Sequence, residues 1–267
     1  MEPEIFETIK LLNSMGAAIH YDAHGKKTGD DFIYVESMAR LEGTRFRIMS
    51  DPNVLVSYAV MAMITNGRVV VENIDPSDKV DVFLEILSRM NADYSYNMEE
   101  RSLELLPSLA RLKPVDLETN FWPADVKTLA GRPALCHTDW QQILTPLLAK
   151  LEGESFIDEN VHPERFTTIE ALKGMGAKLE LIGDSNRIKR RVFKEDGKPH
   201  TLKITGPTKF RSASIGRLRD IRGATGVLSA MLSADGTSIL HGVDQLQRGM
   251  ENVVSNLESL GASVNLA

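Results

Sequence analysis

Three aspartates open apolar helical runs in this 267-residue chain: Asp51, Asp139 and Asp220 stand sixteen, fourteen and sixteen residues ahead of Gly67, Gly153 and Gly236. A carboxylate at the head of a helix has two uses. It can cap the first free amides, for about 1 kcal/mol. Those amides also keep it ionised and oriented, so it can take a proton from a hydroxyl, although they weaken it as a base. Arg222 falls in the first turn behind Asp220, and Arg248 just precedes an apolar stripe that begins at Met250. A cation at a helix N-terminus opposes the macrodipole unless an anion lies between the two. These arginines therefore read either as guanidinium forks for an anionic ligand or as surface and capping side chains. Arg165 beside Phe166 marks the start of another helix whose aromatic enters the core. Metal chemistry has little to draw on, since Cys136 is the single cysteine and the six histidines lack ligand spacing.

The elements that must position these residues recur. Ser14-Met15-Gly16-Ala17, Arg89-Met90-Asn91-Ala92, Gly174-Met175-Gly176-Ala177 and Ser259-Leu260-Gly261-Ala262 share one pattern, with 75, 85 and 85 residues between successive cap positions. Ahead of each lies a helical stripe: Ile5, Ile9, Leu12; Val80, Phe83, Leu84, Leu87; Phe166, Ile169, Leu172; Met250, Val253, Val254, Leu257. Gly or Asn after a stripe is what a left-handed C-terminal cap needs. Alternation such as Ala177-Lys178-Leu179-Glu180-Leu181 or Ala262-Ser263-Val264-Asn265-Leu266 then predicts a half-buried strand. Gly67, Gly153 and Gly236, each followed by an apolar strand, precede the next cap by 24, 23 and 25 residues. Each unit of about 85 residues thus reads strand, capped helix, strand, helix, strand. The first copy has its second helix without its first, so the chain is expected to begin inside a repeat.

Several motifs in these phased positions resemble the UDP-N-acetylglucosamine enolpyruvyl transferase family, over nearly the whole chain. The resemblance implies an α/β fold, an inside-out α/β barrel lobe of repeated βαβαββ units with pseudo-threefold symmetry. Residues 1–42 would be the remnant of a first lobe and 43–267 a complete second lobe of three units. Met1-Glu2-Pro3-Glu4-Ile5 is similar to a Glu-Pro-Glu-Ile helix start deep inside the family's first lobe. Its reaction protonates phosphoenolpyruvate at the methylene carbon while the sugar 3-hydroxyl attacks the neighbouring carbon. The tetrahedral intermediate then loses phosphate.

Carried over residue by residue, Arg222 in Arg219-Asp220-Ile221-Arg222 matches an Asp-Leu-Arg whose arginine grips phosphoenolpyruvate. Arg248 matches the second anion-binding arginine of an Asp-Arg-Gly-Tyr-Glu, although the aspartate and tyrosine are replaced here. Asp139 in Thr138-Asp139-Trp140-Gln141 matches Thr-Asp-Met-Gln, whose aspartate is the base for the sugar hydroxyl. The same aspartate also reads as a plain N-cap like Asp51 and Asp220. Val161-His162-Pro163-Glu164-Arg165-Phe166 resembles a Val-Phe-Glu-Asn-Arg-Phe beside the nucleotide sugar. The resemblance thus implies Asp139, Arg222 and Arg248 as catalytic, with Asp51, Thr138, Val161, Arg165 and Asp220 binding substrate. It implies no metal and no cofactor. Its partners are phosphoenolpyruvate, UDP-N-acetylglucosamine and a complementary N-terminal half. The family's Lys-Asn pair and general-acid loop have no counterpart here, and Cys136 does not replace that acid.

A net charge of -6 gives no general drive toward nucleic acid or an anionic membrane. The basic residues Arg187, Lys189, Arg190, Arg191, Lys194 and Lys198 around Asp196-Gly197 read as a solvated hairpin face. Without a secretory signal or a membrane-length apolar run, the expected location is cytoplasmic, in peptidoglycan precursor synthesis. Two rivals stand beside this reading. One is enolpyruvyl transfer to a shikimate phosphate, and the other a non-catalytic paralogue or partner lobe that binds a nucleotide sugar. The altered residues at Pro52-Asn53 and His162 support the latter. The longer loop within 118–135 has no assigned role.

Overall fold

The computed structural model describes residues 3–22, 32–37, 40–120, 133–162, 165–183 and 198–266. Most of the 118–135 loop and of the basic hairpin, together with Pro163 and Glu164, lie outside them. Two compact units are present, Met1–Ser50 and Asp51–Ala267.

In the first unit, helix α1 (Pro3–Ser14) leads into strand β1 (Ala18–Asp22), which pairs antiparallel with β2 (Phe32–Glu36). Asn13 ties helix to strand, donating to Ile19 O at 2.8 Å and accepting from Ile19 N at 2.9 Å. Phe6 meets Tyr21 edge-on with ring centroids 5.2 Å apart.

The second unit is organised by three mutually packed helices, α2 (Pro52–Ile64), α4 (Gln141–Lys150) and α6 (Ile221–Leu232), the first helix of each repeat. Most residues of each are buried, and α2 in particular is apolar all round rather than striped. The second helices are α3 (Asp78–Arg89), α5 (Ile169–Gly174) and α8 (Val253–Ser259), the last preceded by α7 (Val243–Gln247). Around them lie three sheets. Strands β3 (Val69–Val71), β4 (Tyr94–Asn97) and β5 (Ser102–Leu105) form an antiparallel sheet in the order β3-β5-β4. Strands β6 (Leu117–Asn120), β7 (Ala134–His137), β8 (Gly153–Asp158), β9 (Lys178–Ile182) and β10 (Thr201–Gly206) form a mixed sheet in the order β7-β6-β8-β10-β9. The short strands β11 (Ser214–Ile215) and β12 (Ile239–Leu240) pair in parallel.

All four recurring caps adopt the left-handed conformation read from the sequence, with φ of 94° at Gly16, 58° at Asn91, 110° at Gly176 and 91° at Gly261. Each closes a Schellman pair: Ala17, Ala92, Ala177 and Ala262 donate to Leu12, Leu87, Leu172 and Leu257. At the end of α2 the left-handed residue is Asn66, with φ 54°. Two local expectations need correction. The helices α5 and α8 start at Ile169 and Val253, so Phe166 and Met250 precede them. Thr167 and Thr168 are held by Gln142 Oε1, and Asn252 is left-handed. Finally, 262–266 forms no strand, because no described strand pairs with it. The fold is mixed α/β, and the sheets do not close into a barrel among the described residues.

Candidate active site

The chain leaves β7 at His137 and makes a single 3₁₀ turn, Thr138–Trp140, before α4. Trp140 anchors that turn. Its fully buried ring meets Phe83 edge-on at 5.9 Å, and its Nε1 donates to Asn53 Oδ1 of α2 at 2.9 Å. The amide of Asp139 donates to His137 Nδ1 at 3.3 Å. Asp139 is therefore not an N-cap, unlike Asp51 and Asp220, which accept from Asn53 N at 2.7 Å and Gly223 N at 2.9 Å. The extra turn carries the Asp139 carboxylate off the helix axis and leaves it for other partners.

Those partners are arginines. Arg165 Nη2 lies 2.6 Å from Asp139 Oδ1, and Arg222 Nε lies 3.4 Å from Asp139 Oδ2. Arg165 also donates from Nη1 to Thr138 Oγ1 at 3.1 Å, while its Nε stands 3.8 Å from Asp220 Oδ2. The side chains of Asp139, Asp220, Arg165 and Arg222 are between 15% and 24% exposed, so water reaches the cluster without dispersing it. Burial by itself would raise the Asp139 pKa. The Arg165 and Arg222 guanidinium groups outweigh it and hold the carboxyl below its ordinary value. In this arrangement Asp139 is a weak base.

Close helix packing makes the cluster possible. A Cβ on Gly226 would stand 2.2 Å from the backbone oxygen of Gln142, and one on Gly223 2.6 Å from Thr168 Cγ2. The pair of glycines lets α6 lie against α4, which brings Arg222 within reach of Asp139. Gly249 does the same for the turn ahead of α8: a Cβ there would be 3.1 Å from Arg222 Nη1.

Of the residues read from the sequence, Asp139, Thr138, Arg165, Asp220 and Arg222 come together. Asp51 is exposed and caps α2, touching the cluster only through Asn53 and Trp140. Arg248 follows α7 on an exposed surface, its Nη1 donating to Gln245 Oε1 at 2.9 Å, and it is the neighbouring Gly249 that meets Arg222. Val161 is buried at 1% exposure, its amide turned toward Glu159.

Glu159 is the residue that sequence reasoning missed. It is wholly buried after β8 and accepts from Thr119 Oγ1 (2.9 Å), Thr138 Oγ1 (3.0 Å), Val161 N (2.8 Å) and His162 N (2.9 Å). Its only trace is the polar run Asp158-Glu159-Asn160 where the strand's alternation stops. Cys136 is buried beside it; burial, then Glu159 and Asp139, push its thiol well up, and it donates to His137 O. Among the described residues, no group of three or more His, Cys, Asp or Glu could hold a metal ion, and no helix is long and apolar enough to cross a membrane.

Comparison with known proteins gives the family. A model of the family described as EPSP synthase (3-phosphoshikimate 1-carboxyvinyltransferase) matches residues 1–257. The UDP-N-acetylglucosamine 1-carboxyvinyltransferase 2 of Geobacillus kaustophilus is 30% identical over 264 residues, covering 98% of this chain and 53% of the relative. The protein of the same name from Bacillus subtilis is 28% identical over 265 residues, again 98% and 53%. The chain thus spans about half the length of the curated relatives it matches. Among solved structures, the enolpyruvyl transferase NikO from Streptomyces tendae superposes with a TM-score of 0.71 at 18% identity, covering 99% of this chain and 54% of that one. An EPSP synthase from Acinetobacter baumannii gives 0.65 at 17%, covering 97% and 55%. These two likenesses establish the fold, and the family match over 257 residues places the chain in the EPSP synthase, or enolpyruvyl transferase, family.

Proposed function

We propose that this chain forms one lobe of an enzyme that transfers the enolpyruvyl group of phosphoenolpyruvate to the 3-hydroxyl of UDP-N-acetylglucosamine, in cytoplasmic peptidoglycan precursor synthesis. The observation that carries the reading is the Asp139 carboxylate set between Arg165 and Arg222 at the heads of α4 and α6. Phosphoenolpyruvate brings a phosphate and a carboxylate, and guanidinium forks at helix N-termini suit both. When the substrate draws Arg222 onto itself, Asp139 loses a counter-charge and becomes a better base. It can then accept the sugar hydroxyl proton as that oxygen attacks the phosphate-bearing carbon of phosphoenolpyruvate while the methylene carbon is protonated; loss of phosphate and of a methyl proton then gives the enol ether. Arg248, one residue from the Gly249 contact with Arg222, swings from Gln245 to close on the second anionic group. Thr138 and Val161 border the sugar, Asp220 holds Arg165, and Asp51 fixes the turn under Trp140.

In this reading α2, α4 and α6 are the inner helices of an inside-out barrel lobe running over 43–267, with residues 1–42 belonging to another lobe. The general acid for the methylene carbon comes from a complementary half. The names of the curated relatives favour the nucleotide sugar as acceptor. The family description favours 3-phosphoshikimate as the second candidate.

The test is phosphate release from phosphoenolpyruvate, with either acceptor, by this chain alone and with the portion of the Geobacillus kaustophilus relative that it does not match. Release with UDP-N-acetylglucosamine in the mixture, lost in Asp139→Ala and in Arg222→Ala, is the expected result. Release only with 3-phosphoshikimate reassigns the acceptor. No release in any mixture leaves a non-catalytic lobe.

A further inference from the structure

Two guanidinium groups meet Asp139, and they are held unequally. Arg165 makes three contacts: Nη2 with Asp139 Oδ1 at 2.6 Å, Nη1 with Thr138 Oγ1 at 3.1 Å, and Nε facing Asp220 Oδ2 at 3.8 Å. Among the described residues Arg222 has one polar partner, Asp139, reached through Nε at 3.4 Å. Burial raises the Asp139 pKa, and Arg165, Arg222 and then His137 pull it down, so the better-held arginine is also the stronger counter-charge.

The hold on Arg165 leads back to a buried charge. An arginine can only donate, so Thr138 Oγ1 accepts from it. The one hydroxyl proton of Thr138 must then go elsewhere, and it goes to Glu159, 3.0 Å from Oε1 and 3.2 Å from Oε2. Glu159 is itself fixed. It is wholly buried, its amide donates to His200 O at 2.7 Å, and its Oε1 also accepts from Val161 N, His162 N and Thr119 Oγ1. Thr119 is oriented in the same sense as Thr138, for its oxygen accepts from Asn160 N at 2.8 Å and its proton goes to Glu159 at 2.9 Å. An ionised acceptor strengthens each of these bonds. Glu159 thereby sets the direction of the Thr138 hydroxyl, proton inward and lone pair toward Arg165.

We propose that Glu159 is a positioning residue: acting through Thr138, it fixes Arg165 on Asp139 and leaves Arg222 as the guanidinium that an anionic ligand can take away. The inference rests on the enolpyruvyl-transfer reading above and deepens it. Two equally loose arginines would let the anion draw off either or both, and the carboxylate would move with them. With Arg165 fixed, the anion takes one predetermined guanidinium, and Asp139 loses one counter-charge while keeping its place beside Thr138. Wholly buried, Glu159 does this without touching the ligand.

Nitrogen-proton NMR of the arginine Nε–H groups tests it in the full 267-residue chain, with inorganic phosphate as the probe. In the wild type, phosphate should shift the Arg222 resonance and leave that of Arg165 in place. The titration midpoint of the Asp139 carboxyl, followed by carbon NMR, should rise by about one pH unit as Arg222 leaves. Two variants loosen Arg165 by different routes. Glu159→Gln keeps the shape but sets an amide donor against Thr138 Oγ1, in competition with Arg165. Thr138→Val removes the bridge and leaves Glu159 its other three donors, which keeps the proposal falsifiable should Glu159→Gln not fold. In either variant Arg165 should shift together with Arg222, and the Asp139 midpoint without phosphate should already stand about one pH unit higher. Thr138→Ser should restore the wild-type pattern, assigning the effect to the hydroxyl rather than to packing. Equal shifts of both arginines in the wild type, no response of either, or folded variants that respond as the wild type does would each overturn the proposal. The wild-type asymmetry without phosphate release in any mixture removes the enolpyruvyl reading and leaves Glu159 positioning an anion site, so the two failures are distinguishable.

Discussion

The heads of α2 and α6 and the head of α4 began from the same sequence plan, an aspartate opening an apolar helix, and diverged. At α2 and α6 the carboxylate turns back onto its own helix and caps it, through Asn53 N and Gly223 N. At α4 one 3₁₀ turn, pinned by Trp140, hands the amide of Asp139 to His137 and frees the carboxylate to face two arginines. A capping carboxylate is committed to main-chain donors and contributes to stability. A released one can exchange partners, which proton transfer requires. The difference shows how one copy of a repeat can free a side chain that the other two commit to capping.

The comparison breaks most completely at Glu159, the buried support under the released aspartate. Glu159→Leu strands four donors inside the fold and should lower stability by about 3 to 5 kcal/mol, read as a fall in urea midpoint with the slope unchanged. If the midpoint scarcely moves, Glu159 does not organise the turn. Next in size is the α4–α6 contact. Gly226→Ala drives a methyl into the backbone of Gln142 and should cost about 1 to 3 kcal/mol, while parting Arg222 from Asp139. Binding of phosphoenolpyruvate by the lobe, measured by calorimetry, should weaken in the same variant. Gly16→Ala, at a left-handed cap with open space around it, should cost less than Gly226→Ala and leave phosphoenolpyruvate binding unchanged.

Much of this arrangement is legible in the sequence. The four glycine or asparagine caps fixed the phase of the repeat because a left-handed residue admits few side chains, so the constraint is written locally. Asp139, Arg165 and Arg222 were found as motif members, yet nothing in their spacing said that one carboxylate would bridge both guanidinium groups. That depends on Gly223 and Gly226 setting the distance between two helices. Glu159 was illegible, because a buried charge satisfied by amides and hydroxyls looks in sequence like any polar residue at a strand end. The strand expected at 262–266 shows the opposite failure. Alternation describes a face to bury, and the partner that would bury it is not among the described residues.

Smaller effects sharpen the comparison at the two caps. Asp51→Ala and Asp220→Ala should each cost about 1 kcal/mol, and Asp51→Asn nearly nothing, since asparagine caps as well as aspartate. Asp220→Ala should cost somewhat more than Asp51→Ala, because Asp220 also faces Arg165. Equal losses at the two positions would reduce Asp220 to a cap alone.

The finest test is pH. Asp139 is buried, which by itself raises its pKa, but Arg165 and Arg222 overcome this and hold it below its value in the unfolded chain. As pH falls, the unfolded chain therefore takes up this proton first. The contribution of Asp139 to stability is full above the unfolded carboxyl pKa of about 3.9 and is lost as pH falls through the lower folded value. Urea midpoints of the wild type and of Asp139→Asn, compared from about pH 7 downward, should differ by a constant amount to about pH 5 and converge below about pH 4. A difference between wild type and Asp139→Asn that persists unchanged at about pH 3 would mean that the asparagine fails by shape rather than by charge. The released aspartate would then be a packing residue, and the contrast between the three helix heads would carry no electrostatic meaning.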